Sequence, residues 1–413
     1  MNRLLTSALA LTALGAIGHA ADGGEDDWLE LDSEINGLAT SVSTQGDWMN
    51  IKALIRGFYN YSNDDLATFT GYDDPGDDDP ADGDFDAQFG NDVRGVSLED
   101  AEINGTFHVG DFKLRLGIDF RSGGADLQDA FAMYRVNPDV SVRMGRYKPH
   151  VLRSNFTDPD KLFFPYRTAL GAAFDFYEEG VGVYGEMEAL SWSFDVFNSP
   201  GDIPFLDPDN DADDSGFAGN GNRAGNQYVL RALWNVGRLP GLYETTPEDA
   251  FGAGSEPALT IGATVVENDE DGSDNSAIGL DVQGSVGRIG FGAEAMRLDD
   301  DARFATQGSS WNSLGAPLLL GDMGDSSTPW SIQANIMPSD RFGLGARIED
   351  LDNANDETIF TLAANMYDAG HAGKLTAAIS FISTDANSGD GATAIDFDDT
   401  TVFTLGYTFG ASR

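Results

Sequence analysis

The chain has 413 residues, with 24 Lys and Arg against 69 Asp and Glu (formal charge −45), 50 Gly, no Cys and 11% aromatics. So acidic a balance argues against nucleic-acid binding, which draws on Lys and Arg to neutralise phosphates, and the lack of Cys excludes disulfides, thiolate zinc sites and Cys nucleophiles. At 41% hydrophobic residues the chain is too apolar to be an acidic disordered protein.

The first predicted element is an export signal. Met1-Asn2-Arg3 precedes an apolar stretch from Leu4 to Ile17, and Gly18-His19-Ala20 supplies small residues at a cleavage site, so residues 1–20 read as a signal peptide. Residues 21–47 form a short N-terminal segment, assigned to the periplasm, in which Trp28, Leu31, Ile35, Leu38 and Val42 have the spacing of a short amphipathic helix. Beyond residue 20 no apolar run approaches the roughly 18 residues a membrane helix needs.

From residue 48 to 409 the period is two. In 111–121, Phe112, Leu114, Leu116, Ile118 and Phe120 share one parity while Lys113, Arg115, Asp119 and Arg121 take the other, the pattern of a strand with one apolar and one charged face. The same alternation predicts sixteen strands, at 48–61, 95–108, 111–121, 127–137, 139–147, 173–186, 189–198, 226–236, 257–268, 276–286, 288–298, 329–337, 341–350, 357–367, 373–384 and 398–409. Many are near the ~9–11 residues of a tilted membrane strand, and the even count suits a single-chain outer-membrane barrel.

Connection lengths alternate as well. Long gaps follow the odd strands, as at 62–94, 148–172, 199–225, 299–328 and 385–397, and short ones follow most even strands. Long loops at one end and tight periplasmic turns at the other are a barrel signature. The gap 237–256 breaks the rule: either a strand boundary is misplaced there or the turn is elaborated. Tyr59, Tyr61, Tyr134, Tyr147, Tyr184, Trp234 and Tyr367 fall at strand ends, as interfacial girdles do. The competing fold is a secreted soluble all-β sandwich or β-helix, since alternation alone does not say which face meets lipid.

Charge is segregated. Aspartate collects in the long loops, at 73–86, 207–214 and 299–301. Asp77, Asp79, Asp82 and Asp84 are the candidate oxygen ligands for Ca²⁺, against the alternative of a solvated acidic surface, and none of these stretches has EF-hand spacing. No other cofactor is expected. Between Arg135 and Arg167 the balance reverses: Arg135, Arg143, Arg146, Lys148, Arg153, Lys161 and Arg167 face only Asp139, Asp158 and Asp160, seven against three. Pro149, Pro159 and Pro165 keep the connection after the fifth strand out of the sheet. If this loop folds into the barrel, Arg143, Arg146, Lys148, Arg153, Lys161 and Arg167, extended by lumen-parity Lys113, Arg115 and Arg121, form a basic path that favours anions. The alternative is that Arg167 and its neighbours pair with wall acids such as Asp100, Glu102 and Asp119 and hold the loop in place.

Three stretches carry a family resemblance: Val-Ser-Leu-Glu-Asp-Ala-Glu-Ile-Asn-Gly from Val96 to Gly105, Leu127-Gln128-Asp129-Ala130-Phe131, and Arg143-Met144-Gly145-Arg146-Tyr147-Lys148-Pro149. Together they resemble the early strands of the phosphate- and polyphosphate-selective porins. The resemblance covers roughly residues 95–170. It implies a sixteen-stranded trimeric outer-membrane channel whose basic residues attract oxyanions, with Lys148 the matching basic position. The chain departs from the family in carrying Glu99, Asp100 and Glu102 in a strand that is commonly Arg-rich in relatives.

The expected function is passive diffusion of small hydrophilic solutes, anions such as phosphate among them, through a homotrimeric barrel in a Gram-negative-type outer membrane. A non-conducting barrel acting as an adhesin or cation-binding surface protein is the alternative. Only His19, His108, His150 and His371 could serve a His-centred hydrolase, and none forms a Ser-His pair at motif spacing.

Overall fold

The computed structural model describes residues 48–65, 92–121, 124–199, 225–237, 247–250, 257–270, 273–299, 304–305, 319–320, 326–352, 357–368, 370–383 and 400–412. Residues 1–47, the calcium candidates Asp77, Asp79, Asp82 and Asp84, and the Asp-rich stretches at 207–214 and 300–301 lie outside them. The chain divides into two units, residues 1–50 with Arg413 and residues 51–412, the second of which is the barrel.

The strands run β1 (Met49–Asp65), β2 (Asp92–Val109), β3 (Phe112–Asp119), β4 (Asp126–Asn137), β5 (Val140–Tyr147), β6 (Glu178–Met187), β7 (Leu190–Ser199), β8 (Gly225–Val236), β9 (Ala258–Glu270), β10 (Ser273–Val286) and β11 (Ile289–Leu298). A small separate pair follows, β12 (Phe304–Ala305) and β13 (Leu319–Leu320), and then β14 (Trp330–Ser339), β15 (Phe342–Asp350), β16 (Thr358–Tyr367), β17 (Gly373–Ser383) and β18 (Thr400–Ser412). All but β12 and β13 join one closed antiparallel barrel of sixteen strands. It closes where β18 returns to β1, in register from Lys52 opposite Ser412 to Ser62 opposite Val402.

Parity decides what the wall faces. On β14 the outward Ile332 and Ile336 are exposed while Ser331, Gln333 and Asn335 are buried inside; on β16 Phe360, Leu362 and Met366 lie outside while Thr361 and Asn365 are buried. A soluble sandwich would bury the apolar parity instead, so the inverted pattern marks a transmembrane barrel whose apolar face meets lipid and whose backbone is satisfied by closed pairing.

Four features depart from the sequence reading or complete it. Tyr59, Tyr61, Tyr134 and Trp234 are exposed outward as girdle residues, but Tyr147, Tyr184 and Tyr367 are buried inside. Their hydroxyls donate to carboxylates, Tyr147 and Tyr184 to Asp195 and Tyr367 to Asp249, which a lipid-facing ring could not do. The sixth strand starts at Glu178 rather than at 173, because Phe174 and Phe176 mimic strand alternation while packing into a buried cluster with Leu170 and Ala173. The pair β12 and β13 falls within the gap predicted at 299–328. The connection between β8 and β9 is an elaborated turn: Gly237 leaves the strand at φ 85°, a conformation that favours glycine, and residues 247–250 tuck inside against the loop described next.

Candidate functional site

Between β5 and β6 the chain turns into the barrel. This inner loop, 148–177, contains α1 (Arg153–Phe156), a 3₁₀ turn at Pro159–Lys161 and α2 (Ala169–Ala173). Its prolines rule out ladder pairing, and side chains replace the ladder: Asn155 Nδ2 donates to the carbonyls of Pro149 and Phe174, each at 3.0 Å, tying the outgoing and returning limbs together. Thr168 Oγ1 caps α2 by accepting from the Gly171 N–H at 2.9 Å. The loop brings its own apolar core, with Val151, Leu152, Phe163, Phe164, Leu170 and Phe174 all buried.

The wall grips this loop over most of the circumference. Arg56 of β1 donates to the Pro165 carbonyl (3.1 Å), and Tyr166 Oη donates to Asn60 (2.8 Å). Arg231 of β8 and Thr264 of β9 both donate to the Val151 carbonyl, each at 2.5 Å. Thr168 donates to Glu294 of β11, and the Ala169 N–H to Glu349 of β15 at 2.7 Å. Arg347 donates to the Tyr166 carbonyl (2.8 Å), Asn365 of β16 to the Phe163 carbonyl (2.7 Å), and Lys374 of β17 to the carbonyls of Leu162 and Asp160. Phe163 lies against β15 only because no side chain intervenes: a Cβ on Gly345 would come within 2.4 Å of its ring.

These wall cations are neutralised by neighbours. Arg56 pairs with Asp100 at 2.5 Å, Arg231 with Asp281 at 2.8 Å and Arg347 with Glu349 at 2.7 Å, all almost fully buried. A buried charge of this kind holds its position because the cost of separating it from its partner is large. Arg56, Arg231, Arg347 and Lys374, with Lys52 of β1, were not singled out by sequence reasoning. Arg231 and Lys374 are lone cations on the inward parity of otherwise neutral strand stretches, as in Leu230-Arg231-Ala232, while Lys52 and Arg56 share the inward parity of β1 and Arg347 precedes its partner Glu349 by two residues; a cation on the inward parity is the signal that marks them.

The basic residues singled out in the sequence fall into three groups. Lys148 and Arg167 converge on Asp175, Arg167 Nε at 2.8 Å, and Arg167 also donates to the Ser154 carbonyl at 2.8 Å. Burial alone would raise the Asp175 carboxyl, but Arg167 and Lys148 hold it down at about 2. Its partner is therefore a loop acid. Of the wall acids expected in that role, Asp100 is taken by Arg56 and Asp119 by Arg121, while Glu102 accepts from Asn104 Nδ2 at 3.1 Å and lies within electrostatic range of Lys148. Burial, with Arg231 adding to it, brings Arg153 down to about 10, and burial with Arg143, Arg231 and Arg153 nearby keeps the His150 imidazole neutral. Arg143 is stacked on Tyr147, 3.5 Å from the ring centroid, and buried.

The second group meets water. Arg115 pairs with Asp129 at 2.7 Å yet keeps a third of its side chain exposed; Lys161 and Lys52 share Asp158, each at 3.2 Å, and are about as accessible. Asp158 is also within electrostatic range of Arg115. Lys113 stands on the same inward parity of β3, opposite His108, and Arg121, bonded to Asp119 at 2.9 Å, marks the long-loop end of the strand. Beside the β2–β4 wall, Lys52 of β1 and Lys161 of the loop therefore flank Asp158 with Arg115 within its electrostatic range, Lys52 also pairing with Asp160 at 2.8 Å and Arg115 with Asp129, while Lys113 continues the basic parity toward the turn end of β3. The third group is Arg146 alone: it lies on the outward parity of β5, and its Nε donates to the Leu127 carbonyl at 2.9 Å.

No family model matches the chain, and no curated protein matches it in sequence. Among solved structures it is similar to an anion-selective porin from Comamonas acidovorans, at 11% identity over 88% of this chain and 99% of that chain, with a TM-score of 0.52. It is also similar to OprB of Pseudomonas putida in a high-pH structure, at 9% identity over 92% of this chain and 97% of that one, with a TM-score of 0.52. What is shared is the fold, a closed sixteen-stranded barrel of the bacterial outer-membrane porin type.

Proposed function

We propose that this protein is an outer-membrane diffusion channel, with the short turns in the periplasm and the long acidic loops outside. The observation that carries the reading is the inner loop: it lies within a closed barrel, is bonded to β8, β9, β11, β15–β17 and β1, and leaves charged side chains of the β2–β4 wall open to water. No covalent step is needed. A solute passes if it fits between loop and wall, and its rate depends on the local potential.

That potential favours anions. Where protein walls exclude bulk water, charges act over longer distances than at an open surface, and among the described residues the four cations Lys52, Lys113, Arg115 and Lys161 keep more of their side chains in water than the paired Asp129 and Asp160, with Asp158 the comparably accessible acid among their partners. Phosphate and other small oxyanions are the solutes this arrangement suits, and Lys and Arg donors match their oxygens. Buried Lys148, Arg153 and Arg167 shape the loop that borders the path, and the assembly suggested by the family resemblance is a trimer.

The test is recording from purified protein in planar lipid bilayers. Stepwise conductance is expected, with a reversal potential in a KCl gradient on the chloride side and a measurable phosphate current. A protein that inserts and passes no current is not a channel, and a cation-side reversal potential removes the anion preference.

A further inference from the structure

The turns at one end of the barrel are tight everywhere except between β8 and β9, where the chain runs from Gly237 to Pro257, and the part described at 247–250 is inside the barrel with Glu248 and Asp249 buried. Glu248 makes three bonds of different kinds. Its carboxylate accepts from the Phe163 N–H at 2.7 Å, its own N–H donates to the Lys161 carbonyl at 3.1 Å, and its carbonyl accepts from Asn335 Nδ2 of β14 at 2.8 Å. On either side the segment is tied to the wall: the Pro247 carbonyl accepts from Gln283 of β10 at 2.9 Å, and Asp249 accepts from Tyr367 of β16 and pairs with His371 at 2.9 Å.

We propose that Glu248 is a positioning residue for permeation: it props the inner loop at 161–163 from the turn side and thereby fixes where the Lys161 charge stands in the gap. The proposal rests on the channel reading above. A carboxylate is costly to bury unless its oxygens are bonded, and here a peptide N–H of the loop is the bonded partner. Lys161 lies two residues from that N–H, has its own carbonyl held by the same strut, and keeps its ammonium accessible beside Asp158. A shift of the strut therefore moves a charge that solutes meet.

The experiment is bilayer recording of full-length protein, unmutated and as Glu248→Ala, Glu248→Gln and Asn335→Ala, each first checked for heat-modifiable gel migration as a folded barrel. Glu248→Ala is expected to raise open-channel current noise several-fold and to move the reversal potential in a KCl gradient toward the cation side. Glu248→Gln keeps both at the unmutated values, because its amide oxygen still accepts from Phe163 N–H. Asn335→Ala, which frees the strut from β14 without changing charge, shifts both in the same direction by less, and it carries the prediction if Glu248→Ala does not fold. Unmutated noise and reversal potential in the alanine variants that fold overturn the role of Glu248, as does a Glu248→Gln channel as noisy as Glu248→Ala. No current from the unmutated protein overturns the channel reading itself.

Discussion

From β8 round to β1, inward side chains hold the loop: Arg231, Thr264, Glu294, Glu349, Asn365, Lys374 and Arg56 each bond its backbone or one of its side chains. From β2 to β4 they pair along the wall, as Arg115 does with Asp129 and Arg121 with Asp119, and stay partly in water. The same residue types thus do opposite work on the two sides. An arginine that is itself buried between a loop carbonyl and a buried acid fixes geometry, whereas one that pairs along the wall and keeps a quarter to a third of its own side chain in water contributes field. Sequence position alone does not separate them; burial does.

The comparison can be broken most forcefully by removing what divides the two sides. Replacing residues 150–174 by a short Gly-Ser linker is expected to raise single-channel conductance several-fold and to abolish charge preference, and an unchanged conductance would mean that the loop does not bound the path. Next, Arg347→Ala strips Glu349 of its partner and the Tyr166 carbonyl of its donor, a loss of about 3–5 kcal/mol for a broken buried pair, read as a lowered unfolding temperature on heat-modifiability gels. Arg115→Ala on the opposite wall should lower that temperature far less, since its pair is partly solvated.

Asp175 sharpens the contrast by pH. Its folded value of about 2 lies below the ordinary 3.8, so the Lys148–Asp175–Arg167 knot stabilises the fold fully above about pH 4 and loses that contribution as pH falls through about 2. Asp175→Asn removes about 2 kcal/mol at neutral pH, at about 1.4 per pKa unit, and should flatten the acid-side fall in thermal stability that the unmutated protein shows. Smaller in effect, joint neutralisation of Lys113, Arg115 and Lys161 is expected to move reversal potential toward cations with conductance nearly kept. Arg146→Ala, on the outer face, should change neither, and a shift there would place the path elsewhere.

Period-two alternation was enough to count sixteen strands, because a wall with lipid on one side and polar contents on the other repeats at every second residue. It misled where the contents are themselves apolar. Phe174 and Phe176 keep strand parity while lying in the loop core, and Tyr147, Tyr184 and Tyr367 sit at strand ends but face inward toward carboxylates. The basic stretch 135–167 stood out since local charge reversal is visible in one window. Arg56, Arg231, Arg347 and Lys374 did not, because the loop carbonyl that each bonds lies far away in sequence, and only the folded register brings them to one loop. Glu248 was hidden for a related reason: the connection that carries it was marked only as too long.

The seam at which β18 meets β1 joins Lys52 to Ser412 and Ser62 to Val402, the most widely separated strand partners among the described residues. Until that zipper forms, the sheet has two open edges whose amides have no acceptor in a hydrocarbon setting, and closing it brings together the first and last strands of the barrel. Assembly is therefore expected to finish rather than begin there, and a chain cut within β18 would be left as an unsealed ribbon prone to pair with another of its kind.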